Sequence, residues 1–270
     1  MSEIKNNDYL ERICEANQTI TSPFEATDED IYFACHDGFV YKYKDGNLKQ
    51  LFEVGGQPNG LLIDSRTNIC YIADTAHQSI LAKSLEDKTT EFTQIVSDFE
   101  GQQLEGPSNL VIDSSGKYLY FVDSGPFGET NLENSVGSVF MIDLEDASVS
   151  PLALRCLAFP ADLSFDKDET VLYVAETFAN RILKFYLNDS ISFFSVFHQF
   201  SGRMGPTAIT VNNENLLFVA RFEKMSNCLD GEISVLQRTG ELLKRIVLPD
   251  YPEINGISFS KVRIFFFFDF

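Results

Sequence analysis

Apolar residues in this chain fall in short runs separated by small polar clusters, and the same arrangement recurs. In "FPADLSFDKDETVLYVAETFANRILKF", residues 159–185, a proline opens an apolar run, a polar turn follows, and two further runs come after it. "QPNGLLIDSRTNICYIADTAHQSILAKSL" starts the same way at Gln57, "GPSNLVIDSSGKYLYFVDSG" at Gly106 and "GPTAITVNNENLLFVARF" at Gly205. "SPFEATDEDIYFACHDGFVYKYKDG" from Ser22 and "EINGISFSKVRIFFFFDF" from Glu253 complete the series. The anchors are Pro23, Pro58, Pro107, Pro160 and Pro206, with Ile254 in the sixth place, at spacings of 35 to 53 residues. Such a period, with three or four short strands per unit and little helical periodicity, is that of propeller blades.

Each unit reads as strand a (Leu110–Ile112), a polar turn, strand b (Leu119–Val122), a second turn, strand c (Val139–Ile142) and a looser strand d. The turns at Asp113–Gly116, Asp166–Asp168 and Asn212–Glu214 suit hairpins. We therefore expect an all-β, single-domain chain over 1–270. It would be a six-bladed β-propeller of four-stranded antiparallel blades near 22–54, 57–100, 106–155, 159–200, 205–249 and 253–270. The last blade lacks room for strands c and d. A strand at 10–20 is expected to complete it and so close the ring.

Composition narrows the functions. With 40 Asp and Glu against 21 Lys and Arg, the net charge is −19. That argues against nucleic acid and against anionic membrane surfaces, both of which need clustered cations. Five cysteines without CxxC spacing and no apolar leader suggest free buried thiols in a cytoplasmic monomer. No phosphate loop, GxSxG or HExxH is present.

"PNGLLIDSRTNICYIADT", "GPSNLVIDSSGKYLYFVDSG", "FPADLSFDKDETVLYVAET" and "DGEISVLQRTGELLKRIVLP" resemble the six-bladed propellers of the gluconolactonase, regucalcin and senescence-marker family, with strictosidine-synthase-like and NHL-repeat relatives. The likeness spans about residues 20–262. It implies one divalent cation, calcium or zinc, in the central channel, and hydrolysis of lactones or esters. The family's metal-ligating Glu, Asn and Asp fall here on Thr21, Ala161 and Thr207. None is a carboxylate, and a hard cation needs several charged or carbonyl oxygens. A slip of one residue would recruit Asp162, the one metal candidate.

Topology places the start of strand a, the end of strand b and the b–c loops on one face. That mouth would carry Asn59, Ser108, Ala161, Thr207 and Asn255, backed by Cys35, Asp74, Asp123, Glu176 and Arg221. The repeated acids read as turn supports. Arg221, where an acid is expected, would clamp an anionic or carbonyl group or pair with a nearby acid. Long b–c loops at Ser124–Gly137 and Phe222–Gly231 would overhang the mouth. The expected ligand site is thus Asn59, Ser108, Asp162, Thr207, Arg221 and Asn255. The reading is a diverged, non-catalytic propeller that binds a small molecule or a protein partner. A metal-dependent lactone or ester hydrolase and an NHL-type interaction scaffold are the alternatives.

Overall fold

The computed structural model describes residues 3–4, 19–25, 30–187, 193–203, 205–222, 230–259 and 264–268. Five four-stranded antiparallel sheets follow one another along the chain. The first holds β2 (Ile20–Glu25), β3 (Ile31–Cys35), β4 (Phe39–Lys44) and β5 (Asn47–Glu53). The second holds β6 (Pro58–Asp64), β7 (Ile69–Asp74), β8 (Ser79–Ser84) and β9 (Thr93–Val96). A two-stranded ribbon, β10 (Asp98–Phe99) and β11 (Gln102–Gln103), leads to β12 (Pro107–Ile112), β13 (Tyr118–Asp123), β14 (Gly137–Asp143) and β15 (Ser148–Leu157). The fourth sheet holds β16 (Pro160–Phe165), β17 (Val171–Glu176), β18 (Arg181–Tyr186) and β19 (Phe193–Gln199). The fifth holds β20 (Gly205–Val211), β21 (Leu217–Phe222), β22 (Gly231–Leu236) and β23 (Leu242–Leu248).

The propeller therefore has five blades, not the six expected from the repeat. The sixth repeat yields only a hairpin, β24 (Ile254–Phe259) with β25 (Ile264–Phe268), and no third or fourth strand joins it among the described residues. Of the strand expected at 10–20 to complete it, residues 10–18 lie outside the described residues and Ile20 opens β2 in the first blade. β1 (Glu3–Ile4) adds in parallel to β23 on the outer edge of the fifth blade, away from the hairpin. Ring closure comes instead from the hairpin: β24 packs against β20 on one side and β2 on the other, as each blade's first strand packs against the next.

Blade stacking explains the hydrophobic runs. The second strand of each blade has neighbouring blades on both faces, so strict alternation disappears. All of Ile31–Cys35 and all of Val171–Glu176 are buried. The outermost strands are wet: Asn47–Glu53 and Phe193–Gln199 are mostly exposed. The core is accordingly a series of seams between blades. Leu62, Tyr71, Phe121 and Phe140 fill the seam of the second and third blades. Val122, Leu163, Val174 and Phe185 fill the next. Each such side chain contributes about 1.5–3 kcal/mol of burial.

The a–b turns are held by the side chain that opens them. Asp166 Oδ1 accepts from Thr170 N (2.8 Å) and Val171 N (2.9 Å). Asn212 Oδ1 accepts from Glu214 N (3.0 Å) and Leu216 N (2.9 Å). Cys35 and Cys70 are free and buried, as the composition suggested, but the free thiol of Cys156 is exposed.

Candidate functional site

The first strand of each of the last four blades, and of the hairpin, carries a bulge just after its anchor residue. The register slips between Pro58 and Gly60, Pro107 and Asn109, Pro160 and Asp162, Pro206 and Ala208, and Ile254 and Gly256. The residues at those slips are Asn59, Ser108, Ala161, Thr207 and Asn255. Every member of the expected mouth set is thus the extra residue of a bulge. Bulges re-aim side chains at barrel and propeller rims.

The bulges also organise a girdle of hydroxyl bonds between blades. Thr21 Oγ1 donates to Pro58 O at 3.1 Å, Thr75 Oγ1 to Pro107 O at 3.1 Å, and Ser124 Oγ to Pro160 O at 2.6 Å. Thr177 Oγ1 donates to Pro206 O at 2.7 Å, and Thr207 Oγ1 to Ile254 O at 2.9 Å. Each link runs from one blade to the anchor carbonyl of the next. The recurring pairs Asp74-Thr75, Asp123-Ser124 and Glu176-Thr177 carried this signal in the sequence, but only the acids were read.

Those acids support the entry to strand a. Asp74 Oδ1 accepts from Gln57 N (3.1 Å) and His77 N (2.8 Å). Asp123 accepts from Gly106 N (2.6 Å), Glu105 N (3.1 Å) and Gly125 N (3.2 Å). Burial still pushes the Asp123 carboxyl above the usual range. Glu176 accepts from Ala158 N at 2.7 Å and from Arg181 Nε at 2.5 Å.

Arg221 is 3 % exposed and does not open onto the mouth. Its guanidinium donates to Glu232 Oε1 at 2.8 Å and to Ser201 O at 3.3 Å, and lies 4.2 Å from the centre of the Phe200 ring. Burial lowers its pKa, and Glu232 opposes that shift. The ion pair, not the ligand clamp, is the arrangement seen.

Asp162 is 4 % exposed, and both of its oxygens accept hydrogen bonds. Its Oδ1 accepts from Leu163 N (2.7 Å) and Asn109 Nδ2 (2.5 Å), and its Oδ2 accepts from Ile209 N (2.6 Å). It binds three consecutive blades together. Desolvation raises its pKa to about 7 against the pull of those donors.

Two polar clusters remain at the mouth. His36 Nε2 donates to Asn59 Oδ1 at 2.7 Å, and Asn59 Nδ2 to Thr75 Oγ1 at 2.6 Å. His36 was absent from the expected site. Ser108 Oγ lies 2.8 Å from Ser124 Oγ and 3.2 Å from Ala161 O. Asn255 Nδ2 is buried without a hydrogen-bond partner among the described residues. Of the two overhanging loops, 124–137 is described, and 223–229 of the other lies outside the described residues.

The metal implied by the resemblance does not fit these donors. Ala161 offers no side-chain oxygen. The Thr21 and Thr207 hydroxyls serve neighbouring carbonyls, and both Asp162 oxygens are engaged. Among the described residues no group of three His, Cys, Asp or Glu side chains converges.

Comparison with known proteins bears on identity. The family model described as SMP-30/Gluconolactonase/LRE-like region matches residues 84–261, about two thirds of the chain. The lactonase drp35 of Staphylococcus epidermidis is 25% identical over 191 residues, covering 69% of this chain and 54% of that protein. The lactonase drp35 of Staphylococcus saprophyticus is 26% identical over 220 residues, covering 78% and 63%. The chain thus aligns with only about half to three fifths of these relatives' length. A gluconolactonase from Xanthomonas campestris superposes with a TM-score of 0.77 at 19% identity, over 95% of this chain and 85% of that one. The regucalcin of Agrobacterium tumefaciens superposes at 0.71 with 15% identity, over 89% and 77%. These structural likenesses speak for the fold. The family match goes further: the chain belongs to the SMP-30/gluconolactonase/LRE-like family.

Proposed function

We propose that this family member binds a small ligand at the channel mouth without the metal chemistry of its hydrolytic relatives. The observation that carries this reading is the content of the bulge positions. They present Asn59, Ser108, Ala161, Thr207 and Asn255, a ring with no carboxylate in it. Neutral amides and hydroxyls hold a carbonyl or hydroxyl of a ligand by ordinary hydrogen bonds and offer little to a hard cation. The Asn255 amide is a ready donor, since its Nδ2 has no partner among the described residues. His36 and Asn59 form a second polar group across the first two blades.

A hydrolase is the second reading, favoured by the lactonases among the relatives. Its chemistry would need a water activated by something other than the residues matched to the family's ligands. The test is turnover of simple lactones and esters by purified protein, with and without added calcium. The binding reading expects no calcium-dependent hydrolysis above the uncatalysed rate. Turnover that rises with calcium and disappears in Asp162→Ala would establish the hydrolase instead.

A further inference from the structure

Phe159 has φ = 62° and, among the described residues, is the one aromatic at a non-glycine position of positive φ. Most of the others are small or polar residues, such as Asn68 and Asn215, in hairpin turns. A bulky side chain in this region is an outlier, and such outliers persist where surrounding structure dictates them. Here the surroundings are specific. Phe159 O accepts from Thr177 N at 3.0 Å, Ala158 O accepts from Phe178 N at 3.2 Å, and Glu176 holds Ala158 N. The residues before the other anchors, Gln57, Gly106, Gly205 and Glu253, do not share the conformation.

The strained backbone places the ring in a row of three. Phe159 lies 5.1 Å from Phe178 and 6.1 Å from Phe127, centre to centre, at interplanar angles of 53° and 69°. Phe178 belongs to the b–c turn of the fourth blade and Phe127 to the long b–c loop of the third, so the row stands on the mouth face. It adjoins Ser124, Ser108 and Ala161, which surround the same anchor. Phe127 is 78% exposed and Leu132, in the same loop, 67%. The loop that presents them is itself built: Thr130 N and Oγ1 both donate to Pro126 O at 3.1 Å, and Asn131 Oδ1 accepts from Glu133 N (2.8 Å) and Asn134 N (3.0 Å). An exposed ring backed by two half-buried ones on an ordered support is a feature suited to binding.

We propose that Phe127, Phe159 and Phe178 form an aromatic shelf on the rim, which receives the apolar part of an uncharged ligand bearing an aromatic ring or alkyl chain next to a carbonyl or hydroxyl. The proposal rests on the channel-mouth reading above, and supplies its ligand class. Charge selects the neutral class. The net charge of −19 repels anions, the buried Arg221 guanidinium is held by Glu232, and the nearby carboxylates Asp123, Asp162 and Glu176 are occupied by N–H donors. The polar groups left next to the shelf are hydroxyls.

The test is fluorescence titration of the full chain with Nile red, an uncharged aromatic dye with a ring carbonyl. Phe127→Ser removes an exposed ring. Phe159→Gly removes the strained one while adopting its backbone without steric cost. Both are expected to weaken dye affinity at least tenfold, with the thermal midpoint of Phe127→Ser unchanged. Unchanged affinity in both variants, or no saturable binding by the wild-type chain, overturns the shelf. Asn59→Ala separates the two readings. Loss of affinity in it as well as in the Phe variants supports both shelf and mouth, whereas loss in the Phe variants alone supports the shelf and removes the polar mouth from the ligand's path.

Discussion

Arg221 and Glu232 pair at 2.8 Å across β21 and β22, at the register position where Glu176 and Arg181 pair across β17 and β18 with the charges exchanged. The same position holds Asp74 opposite Ser79 and Asp123 opposite Ser138 in earlier blades. The arginine that stands out in the sequence of the fifth blade is thus one half of an inverted copy of its neighbour's pair. Both members are largely buried, so removing one strands a charge. Arg221→Leu is expected to lower unfolding free energy by about 3–5 kcal/mol, read from urea denaturation. The exchange Arg221→Glu with Glu232→Arg should recover more than half of that loss. No recovery would mean that the Phe200 contact, not the charge pair, fixes the arginine.

The hydroxyl girdle makes a second prediction. Thr177→Val keeps the shape of the side chain and leaves Pro206 O without its donor. A buried acceptor deprived of its partner costs about 1–3 kcal/mol. The same range is expected for Ser124→Ala, whose hydroxyl serves Pro160 O. Chemical unfolding midpoints check both. A loss below about 0.5 kcal/mol in each variant would show that these links do not hold the blades together.

Asp162 sets a pH dependence. Burial pushes its carboxyl up from the ordinary 3.8 to about 7 in the folded chain. Between those values the folded chain holds more protons at this site than the unfolded chain, so stability falls as pH rises from about 4 to about 7 and this contribution is level outside the window. The slope at full effect is about 1.4 kcal/mol per pH unit. Asp162→Asn has no proton to exchange. The difference in unfolding free energy between wild type and variant should change by a few kcal/mol across the window, moving in the variant's favour as pH rises. A difference constant from pH 4 to 7 would contradict the assignment.

The repeat and the strand order within a blade could both be read from the chain because they depend on local pattern: an anchor, an apolar run and a turn opened by Asp or Asn. Blade number could not be read that way. Counting anchors gives six, but a blade needs four paired strands, and only pairing shows that β24 and β25 stand alone. The role of Asp162 escaped for a related reason. Asp162 is engaged by Asn109 and Ile209, both about 50 positions away in the chain, and no sequence spacing marks such partners. Thr75, Ser124 and Thr177 were open to notice, since a hydroxyl follows the acid in three blades, but their acceptors lie in the next blade.

The central claim is that the side chains at the bulge positions of the mouth carry no carboxylate and that both oxygens of Asp162 are already engaged, so the proposed ligand is held without a divalent cation. Calorimetric titration of chelator-treated protein with calcium tests it most directly. The expected result is no saturable binding up to about 1 mM, with the same thermal midpoint in calcium as in chelator. One equivalent of calcium bound, and lost in Asp162→Ala, would contradict it.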